Sequence, residues 1–253
     1  LGTSSVKVLI MDPDGRTLAV SSRGYDVMTP KMSYAEQEPQ VWWNCTVMAI
    51  REAMEKSGIR PEELDGIGLS GQMHGLVAFD RNNEPVMPAI IWMDQRSAKE
   101  TALIKELAGD LLETELLNQP GAGMMICSLL WLKRHRPDVY DRIAHVMLPK
   151  DYIRYRLTGT IGSDFSDACA TLAFSVKGRC WCMELIRRAG LKEDIWPQVW
   201  ESSQAAGHVW AEAAARTGLS GHTRVVYGAG DSSAQLTGNG VIEEGIMACN
   251  IGT

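Results

Sequence analysis

The run Gly66-Ile67-Gly68-Leu69-Ser70-Gly71-Gln72-Met73-His74-Gly75 constrains the fold of this chain more than any other stretch. It reads as a short buried apolar strand, residues 66–69, ending in a polar turn. Glycine inside a strand marks a bulge or the close approach of a second backbone, because a Cβ would block either. The Gln-Met-His turn then lies at the strand's end, where α/β proteins form the crevice that receives ligands. Met73 and His74 project into that crevice.

The flanking sequence supplies the rest of such a fold. Residues 6–12 are β-branched and apolar, Pro13-Asp14-Gly15 is a turn signal, and residues 17–22 read as a returning strand, which makes a β-hairpin. Pro39 opens a helix carrying Trp42, Trp43, Val47, Ile50 and Met54 at helical spacing, and Gly58 stops it. A second apolar strand, 76–80, follows the Gln-Met-His turn and ends in the polar turn 81–84. Residues 95–117 and 128–158 read as largely helical, the latter ending at Gly159, with further helices at 180–189 and 211–217. A strand at 223–227 runs into Gly228-Ala229-Gly230-Asp231, after which a helix covers 232–236. This order describes an α/β fold with a mixed sheet flanked by helices and a large helical and hairpin insertion at about 81–222.

Composition narrows the function classes. A formal net charge of -6 with no basic stripe argues against a nucleic-acid partner. No apolar run is long enough to span a bilayer, and no secretory signal is present, so a cytoplasmic protein without a membrane partner is expected. The six cysteines contain no C-x-x-C pair and no histidine at ligand spacing, so reduced thiols are expected and no metal site is assigned. The chain starts on Leu1 and stops on Asn250-Ile251-Gly252-Thr253 directly after an apolar run, and so reads as a piece of a longer protein.

Three glycine-containing turns carry the candidate chemistry: Gly2-Thr3-Ser4-Ser5, Gly71-Gln72-Met73-His74-Gly75 and Gly228-Ala229-Gly230-Asp231. The first offers hydroxyls and backbone amides suited to phosphate oxygens, but taken alone is more simply an ordinary hairpin turn. The third fails the G-x-G-x-x-G/A spacing of a dinucleotide site, since Ser233 stands at the third small position. Asp231 could accept a proton from a substrate hydroxyl. Taken alone, it is more simply a helix N-cap, and His74 taken alone is more simply a structural histidine. Asp94 and Arg96 read as a charge pair bracing a loop, Lys150-Asp151 as a helix N-terminus, and Trp131, Trp181 and Trp196 as packing.

Together, and in this order, these turns resemble the FGGY family of carbohydrate kinases. Leu1-Gly2-Thr3-Ser4-Ser5-Val6-Lys7, Tyr34-Ala35-Glu36-Gln37-Glu38-Pro39, Pro88-Ala89-Ile90-Ile91-Trp92-Met93-Asp94-Gln95-Arg96, Leu148-Pro149-Lys150-Asp151-Tyr152 and Ser163-Asp164-Phe165-Ser166-Asp167-Ala168 extend the likeness along the whole chain. The resemblance implies an actin-like ATPase (ribonuclease H-like) fold. Residues 1–253 would be the N-terminal, sugar-binding domain, and the C-terminal ATP-binding domain would lie outside this chain. It implies ATP and Mg²⁺, Met73 and His74 on the sugar, and Asp231 as general base. Thr3, Ser4, Ser5 and Lys7 would face the ATP phosphates, and Gly252 and Thr253 would begin a second phosphate loop. D-xylulose is the implied substrate and D-xylulose 5-phosphate the product. Ser232, where members closest in pattern carry Asn, keeps ribulose and gluconate open, and a non-catalytic sugar-binding module on the same fold is the alternative class. A homodimer is compatible with the reading, and the isolated chain is expected to lack turnover.

Overall fold

The computed structural model describes residues 1–249, so the expectation for Gly252 and Thr253 lies outside the described residues. The N-terminal hairpin forms as its sequence requires. Strand β1 (Ser5–Met11) pairs antiparallel with β2 (Thr17–Gly24), and Asp12 Oδ1 accepts the Asp14 and Arg16 amides to close the turn. After β3 (Glu36–Gln37), helix α1 (Pro39–Ser57) begins on a proline and ends at Gly58 in the left-handed region, φ 70°. Its N-terminal proline gives up an N–H that has no intrahelical partner anyway.

Short strands β4 (Gly66–Ile67), β5 (Ser70–Gly71), β6 (Val77–Phe79) and β7 (Ala89–Ile90) follow. Helices α2 (Ala98–Ala108), α3 (Met125–His135) and α4 (Pro137–Tyr140) then lead to β8 (His145–Met147) and α5 (Pro149–Thr158). The chain continues through β9 (Ser163–Asp164), α6 (Phe165–Ala168), β10 (Phe174–Ser175), β11 (Cys180–Trp181), α7 (Met183–Arg188) and β12 (Val199–Trp200). It closes with β13 (Ala205–His208), α8 (Ala211–Thr217), β14 (Arg224–Val226), β15 (Ala229–Gly230) and α9 (Asp231–Gly238). Pairing is mixed. Strand β14 runs parallel to β4 and antiparallel to β13, β5 is parallel to β15, and β9 is parallel to β12. The pairs β3 with β7, β6 with β8 and β10 with β11 are antiparallel.

Alternate residues of the central strands divide the interior into two cores. Val77, Phe79, Ile91 and Met147 pack with Trp42, Trp43, Tyr152, Ile153 and Val225, joining α1, α5 and α8. Leu76, Ala78, Ile90 and Val146 turn the other way and pack with Ile104, Ile126, Leu129, Leu132 and Leu185 of α2, α3 and α7.

Several expectations are corrected. The region 128–158 is three helices and a strand. Pro137 and Pro149 each interrupt the helical ladder, and residues 145–147 are drawn into pairing with β6. In 95–117, α2 stops at Gly109 and a turn of π-helix at Leu112–Leu116 follows. Cys180 and Trp181 pair with β10 instead of opening a helix, and α7 starts at Met183. The strand expected to be buried at 66–69 is not: Gly66 and Gly68 are exposed, and Ile67 and Leu69 half-buried. One edge of β4 pairs with β14, and the other lines an apolar groove of about 700 Å³ whose far side is β1.

Candidate active site

Parallel pairing of β5 with β15, Ser70 opposite Ala229 and Gly71 opposite Gly230, brings the Gln-Met-His turn against the turn that ends in Asp231. Only glycine permits this approach. Gly228 has φ 79°, and a Cβ there would stand 2.3 Å from the Leu69 carbonyl oxygen; a Cβ on Gly230 would stand 2.8 Å from Met73 Cε. The opening turn joins the same place. The Leu1 amine donates to the Ser70 carbonyl (2.6 Å) and the Gln72 amide to the Leu1 carbonyl (2.7 Å). Gln37 ties them together, donating to the Thr3 carbonyl (2.7 Å) while its Oε1 accepts from Gln72 Nε2 (3.0 Å) and Trp42 Nε1 (3.1 Å).

Each expected site residue has a definite setting. Met73 is half-buried against Gly230. His74 is half-buried in the left-handed region, φ 69°, with Nδ1 2.7 Å from the Ala170 carbonyl. A carbonyl only accepts, so Nδ1 carries a proton, and the tautomer this selects has Nε2 as its acceptor. Asp231 is exposed and is the first residue of α9; the N-cap is Gly230, which corrects the capping reading of Asp231. Its Oδ1 accepts the Ser232 amide at 2.7 Å, and its place in the first turn suits a negative charge.

In the opening turn the Gly2 amide donates to the Ser5 carbonyl (2.9 Å), Thr3 Oγ1 accepts from Trp92 Nε1 (2.9 Å), and Ser4 is exposed. Ser5 and Lys7 lie in β1 on one side of the strand. Lys7 has no carboxylate within ion-pair distance among the described residues, and it lines the same groove as Asp231, Gly71 and Lys150. Among the described residues no group of three or more His, Cys, Asp or Glu is placed to hold a metal ion.

Behind these turns lies a cluster of charge that the sequence reading missed. Lys150, Asp151, Arg154, Asp164 and Asp167 are all buried. The Lys150 ammonium sits 2.6 Å from Asp151, 2.8 Å from Asp164 and 3.6 Å from Asp167. Burial opposes its charge, but the carboxylates of Asp151, Asp167 and Asp164 hold its pKa up at about 12. Burial and the neighbouring carboxylates push Asp167 well above the usual carboxylate range, against the pull of Lys150. Asp151 stays below that range, because Lys150 and Arg154 overcome its burial. Lys150, Asp151 and Arg154 share one turn of α5, but no local signal tells that Asp164 and Asp167 meet them. By contrast, the Asp94–Arg96 brace expected from sequence is present and extends to Glu36, 2.6 Å from Arg96. Trp181 and Trp196 pack at 4.9 Å between ring centroids.

The fold and the three convergent glycine turns define an actin-like ATPase domain. Residues 1–238 match the N-terminal domain of the FGGY family of carbohydrate kinases, and the chain belongs to that family. It is 35% identical over 253 residues to the xylulose kinase of Bacillus subtilis, covering 100% of this chain and 51% of that protein. The crystal structure of a xyloylose kinase from Brucella ovis matches with a TM-score of 0.89 at 37% identity, over 97% of this chain and 50% of that one. For the xylulose kinase from Rhodospirillum rubrum the TM-score is 0.90 at 27% identity, over 96% and 50% of the respective chains. The chain thus spans about half the length of these relatives. No described helix is long and apolar enough to cross a membrane.

Proposed function

We propose that the full-length protein phosphorylates a sugar hydroxyl with ATP, D-xylulose being the substrate and D-xylulose 5-phosphate the product. This chain would be its N-terminal, sugar-binding domain, with the insertion at 81–222. The observation that carries the reading is the β5–β15 pairing, which joins the Met73-His74 turn to the Asp231 turn in a chain similar to xylulose kinases.

In this reading Met73 and His74 hold the sugar, with His74 Nε2 accepting a sugar hydroxyl because Nδ1–H is committed to Ala170. The attacking hydroxyl gives its proton to the Asp231 carboxylate while its oxygen bonds to the terminal phosphorus and the bond to the ADP oxygen breaks. Thr3, Ser4, Ser5 and Lys7 face the phosphates: small hydroxyls and an ammonium with no carboxylate partner among the described residues suit an anion. Mg²⁺, when bound with the nucleotide, supplies neutralisation of phosphate charge. The same reading gives a cytoplasmic enzyme whose partner is a small sugar, not nucleic acid or membrane.

The test is ADP release by the full-length protein with ATP, Mg²⁺ and D-xylulose, ribulose and gluconate in turn. D-xylulose is expected to be turned over fastest, and silence with all sugars sinks the kinase reading. Asp231→Asn is expected to lower kcat by ~10²-fold or more. Undiminished turnover would remove Asp231 from its role while leaving the enzyme class standing.

A further inference from the structure

The turn that presents Asp231, Gly228-Ala229-Gly230, carries two glycines and no side chain larger than a methyl. Such a segment has wide backbone freedom and little of its own to fix it. A group that removes a proton must nevertheless be held within a fraction of an ångström of its target. Pairing with β5 holds Ala229, whose amide donates to the Leu69 carbonyl (2.9 Å), while the contacts on the Gly228 and Gly230 amides and the Tyr227 carbonyl converge on one side chain.

Asp164 is fully buried. Its Oδ2 accepts the Ser166 hydroxyl (2.6 Å), the Ser166 amide (2.9 Å) and the Ser202 hydroxyl (2.8 Å). Ser166 Oγ in turn accepts the Gly230 amide (3.1 Å), and the Ser202 carbonyl accepts the Gly228 amide (2.9 Å). On its other oxygen, Lys150 lies 2.8 Å from Oδ1 and donates to the Tyr227 carbonyl at 3.4 Å. One carboxylate therefore reaches the backbone at 227, 228 and 230 through three different intermediaries. Capping α6 would require only the Ser166 amide; the contacts that run to Gly228 and Gly230 do nothing for that helix.

We infer that Asp164 is a positioning residue for Asp231, acting through Ser166 and Ser202 to set the backbone from which the base projects. This rests on the reading of Asp231 as general base. The Ser166 hydroxyl is the direct link: it donates to the carboxylate, so its lone pairs face the Gly230 N–H. Without the carboxylate that hydroxyl is free to rotate, and the Gly230 amide loses a fixed acceptor.

Four variants of the full-length protein test this: Asp164→Asn, Ser166→Ala, Ser166→Thr and Asp231→Asn. Hydrogen exchange at the Gly228 and Gly230 amides is measured alongside kcat, KM for the sugar and Tm. Ser166→Ala and Asp164→Asn are expected to speed exchange at Gly230 by about tenfold, the loss of roughly one hydrogen bond. They should lower kcat by about tenfold with KM changed less than about twofold, as for an interaction made in the transition state alone. Ser166→Thr keeps the hydroxyl and should restore both. Should Asp164→Asn fail to fold, Ser166→Ala against Ser166→Thr carries the test alone. Unchanged exchange at Gly230, or kcat and KM shifting together without rescue by threonine, overturns the proposal. If exchange quickens as expected but Asp231→Asn keeps full turnover, the brace stands and the general-base reading falls.

Discussion

Both carboxylate oxygens of Asp94 are answered, whereas around Lys150 several buried polar atoms are not. Asp94 accepts from the Ala35 amide (2.6 Å), the Arg96 amide (2.9 Å) and the Arg96 guanidinium, which also reaches Glu36 and stacks 3.8 Å from the Tyr34 ring centroid. In the other cluster Asp151 Oδ2, Arg154 Nε, Asp164 Oδ1 and both Asp167 oxygens lack a hydrogen bond; Lys150 meets Asp164 Oδ1 only as an ion pair out of hydrogen-bond alignment. Unanswered buried polar atoms are costly. The satisfied cluster is a strut between the segment before β3 and the one after β7. The other lies directly behind the turn carrying Asp231, and Lys150 and, through Ser166, Asp164 reach that turn's backbone.

The sharpest way to break this contrast is to remove one partner from the strut. Asp94→Ala leaves the buried Arg96 with Glu36 as its one remaining carboxylate partner and the Ala35 amide without its acceptor, and should lower the unfolding free energy by about 3 kcal/mol in urea titration. A loss below about 1 kcal/mol would show the strut to be dispensable. Next comes alkaline pH. The raised Lys150 pKa means its contribution is fully present below pH 10.5 and lost as pH rises through about 12, a change of about 2 kcal/mol. The stability gap between the native protein and Lys150→Gln should therefore narrow across that window, while the gap to Asp94→Ala stays constant, because a guanidinium keeps its charge. A gap for Lys150→Gln that is flat with pH contradicts the assignment.

The smallest effect belongs to Asp167. A carboxyl whose folded pKa is raised contributes stability below its unfolded pKa and loses it as pH rises through the folded value. At acid pH, where both side chains are neutral, Asp167→Asn should stay within about 1 kcal/mol of the native protein. The balance should move in favour of the variant from acid to neutral pH, as read by Tm across the range. If the variant instead loses ground as pH rises, Asp167 is an ordinary paired carboxylate.

Elements with local punctuation were legible in the sequence. The hairpin β1–β2 follows from Pro13-Asp14-Gly15 between apolar runs, α1 from Pro39 and Gly58, α8 from its run ending at Gly218, and the Asp94–Arg96 pair from a spacing of two. Strand β8 was not legible, because three residues between helices become a strand only through the distant partner β6. The same holds for the site. The three glycine turns could be picked out by composition, but Asp164 and Ser166 looked like one motif among several.

The sequence by itself determined where the chain may turn tightly and which backbone segments carry no Cβ, since glycine and proline act on their own φ and on immediate neighbours. It also determined the family, through motifs spread over its length. Only the tertiary structure decided that β5 lies beside β15, that β4 keeps one edge on an apolar groove, and that Lys150, Asp151, Arg154, Asp164 and Asp167 share one interior. Strand pairing and burial of charge are settled by contacts between residues far apart in the chain, and no local propensity encodes those.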